Sequence, residues 1–371
     1  MGARGWRILG MAAVAAALPV IAPPSAATTA AAVSTRVRAR FLMGTRLVVE
    51  ASAPEPERAI EAAFAEVDRL EGALSNWRPT SEVSRMNRDA AEAPVAAGRD
   101  LCAVVGRALG WAAATGGAFD PTVEPLVRAL RLRGPEGILP GRSAPPESPA
   151  TPAPVGWRGV RFDPSACTIG FAAEGMGIDL GGIGKGYALD AAADVLRRAG
   201  ATAARLDFGG QVLVFGSGPD DGGWRIGIAD PRDRDRAALA VGLRSGSIAT
   251  SGDGERSVRG PDGAPIGHHL DPASGRPIAW DGSVSVRAAN GTDADALSTA
   301  LFVMGPERGL AWAAGRSLDV VYLAPDAGGG LTRRAIGSLF GTEAPRPPSP
   351  GSPADQGVGG GRVTHSGGPQ S

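Results

Sequence analysis

The sequence predicts an α+β fold, with mixed or antiparallel sheets packed against helices, on three observations. Short strand-like runs recur along the chain, several longer stretches place apolar residues at helical spacing, and the two interleave without a strict strand–helix–strand rhythm. The 371 residues, 43% of them hydrophobic, suffice for a sizeable core, while 55 Gly and 31 Pro announce long irregular stretches.

The elements follow in order. Residues 36–51 alternate apolar and polar side chains around Met43-Gly44-Thr45, predicting one or two strands with a turn. Residues 55–74 carry Ile60, Phe64, Val67, Leu70 and Leu74 at helical spacing, which predicts an amphipathic helix. A second helix is expected over 100–115, stopped by Gly116-Gly117. Between 134 and 154 the composition turns to Pro, Gly and Ser, a linker. Short strands are expected at 159–162 and 168–171, and residues 177–200 read as strand end, glycine turn and helix. Further strands are expected at 204–207, 212–215, 224–228, 239–243 and 284–288. Two helices at 293–304 and 307–314 precede a last strand at 318–323. From 341 to 371 the chain is Pro-, Gly- and Ser-rich with few apolar residues, a composition that predicts a disordered tail.

Residues 1–32 set Arg4 and Arg7 before an apolar run and then a small-residue stretch, the pattern of a secretory signal. The run is too short for a bilayer span of roughly 20 residues. Export is therefore expected. Formal net charge is zero and no arginine block tracks a phosphate backbone, so nucleic acid is not an expected partner. Cys102 and Cys167, the two cysteines, read as buried small hydrophobes; pairing between them is the alternative.

Of 38 basic residues one is a lysine, Lys185, inside Gly181-Gly182-Ile183-Gly184-Lys185-Gly186. Its survival in an arginine-rich chain suggests a site that needs a compact ammonium. Glycines let the backbone approach a ligand, and a turn feeding a helix attracts phosphate. Gly186 stands where a nucleoside-triphosphatase loop has Ser or Thr, and a plain tight turn is the alternative. Asp295 and Thr299 lie four apart on a helix and share a face, as a hard-oxygen ligand pair or, with Asp293, as helix-start chemistry. His268 and His269 precede Leu270-Asp271-Pro272-Ala273-Ser274-Gly275, a turn with a polar flank or the place of a proton acceptor.

In chain order, Met43-Gly44-Thr45, Leu74-Ser75-Asn76-Trp77 with 81–87, Phe119-Asp120-Pro121-Thr122, and 179–187 resemble one signature, as do Thr250-Ser251-Gly252, 268–275 and 295–300. It is that of the ApbE family of FAD:protein FMN transferases, and the resemblance spans residues 40–323. It implies an ApbE-like flavin transferase domain over 36–340, dependent on Mg2+, that splits FAD, releases AMP and joins FMN through its phosphate to a Thr or Ser of a partner flavoprotein. Membrane redox-pump subunits are among such partners, which places the enzyme in the periplasm or at the outer face of the cytoplasmic membrane, peripheral to it at most. By the same resemblance Met43, Trp77, Ala118, Phe119, Asp120, Asp179, Lys185 and His268 surround FAD. It also implies that Asp295, Thr299 and the Gly182 carbonyl hold magnesium. In the mechanism expected on that basis, Lys185 and helix amides neutralise phosphate charge, and His268 or Asp295 takes the proton.

The chain departs from the family at the 134–154 linker, at Gln211 in place of an acidic residue, at Ser274 in place of threonine, and at Asp253-Gly254 where a tyrosine is common. Two alternatives remain: an exported FAD pyrophosphatase that keeps the site and uses water as acceptor, and a periplasmic flavin-binding protein without catalysis.

Overall fold

The structure is a computed structural model that describes residues 32–130, 132, 153–219, 223–252, 257–259, 265–278 and 280–341. The expected signal segment, linker and tail lie outside these residues except at their inner ends.

The alternation at 36–51 becomes two antiparallel strands, β1 (Ser34–Leu42) and β2 (Thr45–Ala53), with Leu42 paired to Thr45. Met43 and Gly44 between them take φ of 46° and 76°, the left-handed pair whose twist suits a two-residue hairpin. Helix α1 (Pro56–Leu74) buries Ile60, Phe64, Val67, Leu70 and Leu74, each side chain contributing about 1.5–3 kcal/mol. Helix α2 (Glu82–Asp89), not among the expected helices, is capped by Ser81 Oγ, which accepts from the Ser84 amide at 3.1 Å. After β3 (Val95–Ala96), α3 (Arg99–Ala114) stops where Gly116 and Gly117 adopt positive φ. A short helix α4 (Glu124–Ala129) follows, and then the hairpin β4 (Val160–Asp163) and β5 (Thr168–Phe171), with β5 also paired to β3.

Helix α5 (Gly184–Arg198) starts from the glycine turn as expected, but no strand precedes it. Residues 176–180 join no sheet, and side chains supply the hydrogen bonds of Ile178: Asn76 and Asn87 both donate to Ile178 O at 2.8 Å, and Asn87 Oδ1 accepts from Ile178 N. The remaining elements are β6 (Ala203–Phe208), β7 (Gln211–Phe215), β8 (Trp224–Asp230), β9 (Asp233–Leu243), β10 (Gly246–Gly252), β11 (Ser257–Arg259), β12 (Pro265–Gly267), β13 (Leu270–Asp271), β14 (Arg276–Pro277), β15 (Ser283–Ala288), α6 (Gly291–Ala313), β16 (Asp319–Pro325) and β17 (Leu331–Ile336). Within α6, Gly305 at φ 72° and Pro306 break the rod, which yields the two expected helical pieces.

Eight strands form one antiparallel sheet in the order β1-β2-β6-β7-β10-β15-β16-β17. The period of two divides β7 between two cores. Leu213 and Phe215 face the core shared with α1 and α5, whereas Val212 and Val214 face the β8–β9 ribbon, which contributes Trp224, Ile226, Ile228, Leu239, Val241 and Leu243. Helix α6 packs Leu297, Leu301 and Phe302 against β10, β15 and β16. The molecule is thus helices, sheet and ribbon in three layers.

The cysteines correct the sequence expectation: Cys102 and Cys167 form a disulfide across 65 residues, tying the first turn of α3 to the start of β5. Beside it Ala97 N donates to Cys167 O at 2.8 Å, a second tie between the same two segments.

Candidate active site

The hairpin geometry at the end of the central strands opens a cavity of about 410 Å3. Phe208 pairs with Gln211, leaving Gly209 and Gly210 as a two-residue turn at φ 60° and 89°, which lets the backbone itself form part of the wall. The glycine turn before α5 lines the cavity as well. Helix α6, the tip of the β8–β9 ribbon and the Ala118–Asp120 segment complete the lining.

Trp77, Ala118, Phe119, Asp120, Asp179, Gly182, Lys185, His268, Asp295 and Thr299 all line this one cavity. Met43 does not: its left-handed turn tucks the side chain against the start of α5, its Cε 4.0 Å from where a Cβ on Gly184 would lie, and its amide donates to Glu71 Oε2 at 3.2 Å. Thr45, two residues on, stands in the wall in its place.

The cavity centres on Asp295, buried in the second turn of α6. The cap of that helix is Asn290, whose side chain accepts from Asp293 N, and Asp190 receives the amides of Gly291 and Thr292, so Asp295 is not spent on helix-start chemistry. Its Oδ2 accepts from Gly186 N at 2.9 Å, and its Oδ1 lies 3.6 Å from Lys185 Nζ. Lys185 also donates to Gly181 O at 3.2 Å. Thr299, one turn on, comes so close to the glycine turn that a Cβ on Gly182 would sit 2.9 Å from its Oγ1 and 3.3 Å from Phe119. Among the described residues no three His, Cys, Asp or Glu side chains cluster to hold a metal by themselves. What does converge is a carboxylate oxygen, a hydroxyl and a backbone turn, a hard-oxygen set that fits magnesium when a substrate's phosphates complete its shell.

The expectation of helix amides as phosphate donors is corrected for two of them. Gly184 N donates to Leu180 O at 2.7 Å and Gly186 N to Asp295, so Lys185 supplies the point charge and α5 contributes its dipole. Asp120 is committed too: it accepts from Thr122 N, Thr122 Oγ1 and Trp157 N at 2.8, 2.6 and 3.0 Å, which shapes the loop. Asp179 Oδ1 accepts from Gly181 N at 2.7 Å and turns the chain into the glycine run.

His268 and His269 stand side by side with ring centroids 4.1 Å apart, and the His269 ring lies 4.5 Å from Phe302, tilted 43° to it. Burial, with the Lys185 charge second, pushes His269 down to about 3, so its imidazole is neutral at physiological pH. Sequence reasoning, which pairs His269 with His268 as a candidate proton acceptor, misses Ser283 and the ribbon tip with Asp230 and Arg234 as wall residues. The tip is held by Arg232, which pairs with Asp230 at 2.7 Å and donates to Gly329 O and Gly330 O at 2.6 and 3.0 Å. Only pairing across about 100 residues reveals that, although Asp230-Pro231 between two strand patterns marked a turn.

A cavity in which an ammonium, a buried carboxylate and a glycine turn converge defines a binding site for a phosphorylated small molecule. The chain belongs to the ApbE family, whose model matches residues 43–322. It is 32% identical over 309 residues to a FAD:protein FMN transferase of Treponema pallidum, covering 78% of this chain and 84% of that protein, and 33% identical over 265 residues to one of Vibrio cholerae, covering 70% and 78%. Among solved structures it is similar to the flavinyl transferase ApbE of Pseudomonas stutzeri in its apo form, with a TM-score of 0.71 at 29% identity, covering 82% of this chain and 95% of that one. The ApbE protein of Thermotoga maritima gives 0.69 at 29% identity, covering 81% and 97%.

Proposed function

We propose that this protein is an exported, magnesium-dependent FAD:protein FMN transferase. The observation that carries the reading is the meeting of Gly182, Lys185, Asp295 and Thr299 at one wall of a cavity lined by the other FAD-site candidates. Family relatives that carry the transferase name support it.

Asp295, Thr299 and the Gly182 carbonyl are the residues that would hold the cation, and when bound there it supplies neutralisation of pyrophosphate charge. Lys185, on the first turn of α5, places its ammonium against the same pyrophosphate. The flavin and adenosine ends are gripped by cavity walls that include Trp77, Phe119 and the ribbon tip, which exclude water from the phosphorus. A Thr or Ser hydroxyl of the acceptor protein forms a bond to the FMN phosphorus, the bond from that phosphorus to the bridging oxygen breaks, and AMP leaves with the bridging oxygen. Asp295 is engaged through both oxygens, so His268 is the group assigned to take the hydroxyl proton.

Export is proposed from the leader pattern and is supported by the disulfide, a bond that persists in oxidising compartments. Among the described residues no helix is long and apolar enough to cross a membrane. The acceptor is proposed to be a flavoprotein at the outer face of the cytoplasmic membrane.

Incubating the protein with FAD, Mg2+ and a threonine-containing acceptor peptide tests the reading. A peptide mass increase of one FMN, matched by AMP, is expected. Free FMN and AMP without modified peptide would assign hydrolysis instead, and unchanged FAD would leave a binding protein.

A further inference from the structure

We propose that Gln211 is a ligand-positioning residue whose side-chain oxygen receives a hydroxyl donor beside the pyrophosphate. The inference rests on the reading that FAD occupies the cavity.

Gln211 opens β7 directly after the Gly209-Gly210 turn and is 4% exposed. Its Nε2 donates to Gly291 O at 2.8 Å and lies 3.5 Å from Ser247 Oγ, whose own proton goes to Val212 O at 2.9 Å. Both neighbours therefore present lone pairs to the amide. Turning the amide over would set Oε1 against the Gly291 carbonyl, oxygen to oxygen, so the orientation is dictated. That leaves Oε1 buried and without a hydrogen-bond partner among the described residues, in a residue that lines the cavity. A buried amide oxygen without a donor is costly, and a site that keeps one is built for a donor that arrives with the ligand.

Its place in the fold narrows the ligand group. The Gly291 carbonyl that fixes Nε2 is the atom a Cβ on Gly186 would strike at 2.1 Å, and the same Cβ would lie 2.9 Å from Asp295 Cβ. Gln211 thus stands at the phosphate-handling end, next to the residue proposed to hold the cation. A neutral amide oxygen accepts a hydrogen bond and does not take the proton away, so its role is orientation. The donor is a hydroxyl, and two sources reach that end of the cavity: a sugar-chain hydroxyl of FAD and the Ser or Thr hydroxyl of the acceptor.

Gln211→Met keeps the length and removes both polar atoms; Gln211→Asn keeps the amide and withdraws its oxygen by one methylene. For each, FAD affinity is read by flavin fluorescence in EDTA, acceptor-peptide KM in steady-state transfer, and Mn2+ affinity by electron paramagnetic resonance. A roughly five- to thirtyfold loss of FAD affinity with Mn2+ affinity unchanged assigns the sugar hydroxyl. A similar rise in acceptor KM, with FAD and Mn2+ affinities unchanged, assigns the acceptor hydroxyl. Loss of Mn2+ affinity in step with everything else shows a structural tie to α6 only and overturns the proposal, as does a variant with all three values intact while the wild-type protein binds FAD. A wild-type protein that binds no FAD overturns the underlying reading as well.

Discussion

Asp295 accepts a hydrogen bond from the Gly186 amide across 109 residues of sequence, so the carboxylate assigned to the cation is also the clasp between α5 and α6. The two helices approach so closely there that Gly186 has no room for a side chain: a Cβ would lie 2.1 Å from Gly291 O. Gly186→Ala is expected to force the helices apart, costing about 1–3 kcal/mol or more in urea denaturation and weakening Mn2+ binding at once. An unchanged unfolding midpoint would show that the contact yields freely.

Asp295→Ala should reduce AMP release at moderate Mg2+ by on the order of a hundredfold or more, because it removes a cation ligand and strands the Gly186 amide. Stopped assays with quantified AMP provide the check. A near-normal rate would take the cation away from this residue.

Lys185→Arg should also lose rate, despite conserving charge. Nζ sits between Gly181 O and Asp295 Oδ1 as a compact charge, and a planar fork reaches past both. Wild-type turnover in this variant would make the lone lysine an accident of composition.

Reduction of the disulfide, or the paired change Cys102→Ser with Cys167→Ser, should destabilise the fold by up to about 4 kcal/mol, the loop-closure value for a bridge spanning 65 residues. Thermal melts with and without reductant measure it. Cys102 lies one helix away from the Ala118–Asp120 wall, so FAD affinity is expected to change less than stability.

His269 gives a signed pH dependence. Its folded-state value is lowered from 6.5 to about 3, so the unfolded chain binds the proton first. Stability from this group is full above about 6.5 and is lost as pH falls from there towards 3. Urea midpoints measured from pH 7.5 to 4.5 should therefore fall less steeply in His269→Gln than in wild type. Comparing the two removes contributions common to both, including Asp190, whose buried carboxyl is shifted upward and acts in the opposite sense.

The sequence by itself determined the α+β class, the long helices, ten of the seventeen strands among the described residues but neither β10 nor β17 of the central sheet, and eleven candidate site residues of which ten line the cavity. Those features are written locally: a continuous apolar run in β7, period two in β8, period 3.6 in α1, glycines where the chain must turn left-handed, and motif residues whose order survives any folding. Tertiary structure alone decided the rest. It bonded Cys102 to Cys167, withdrew Met43 beneath α5, clamped Ile178 with Asn76 and Asn87, and placed His269, Gln211 and the ribbon tip in the wall. Each of these depends on a contact between segments far apart in sequence. No local periodicity encodes such a contact, because its geometry is set by how helices and strands pack, not by the residues beside it in the chain.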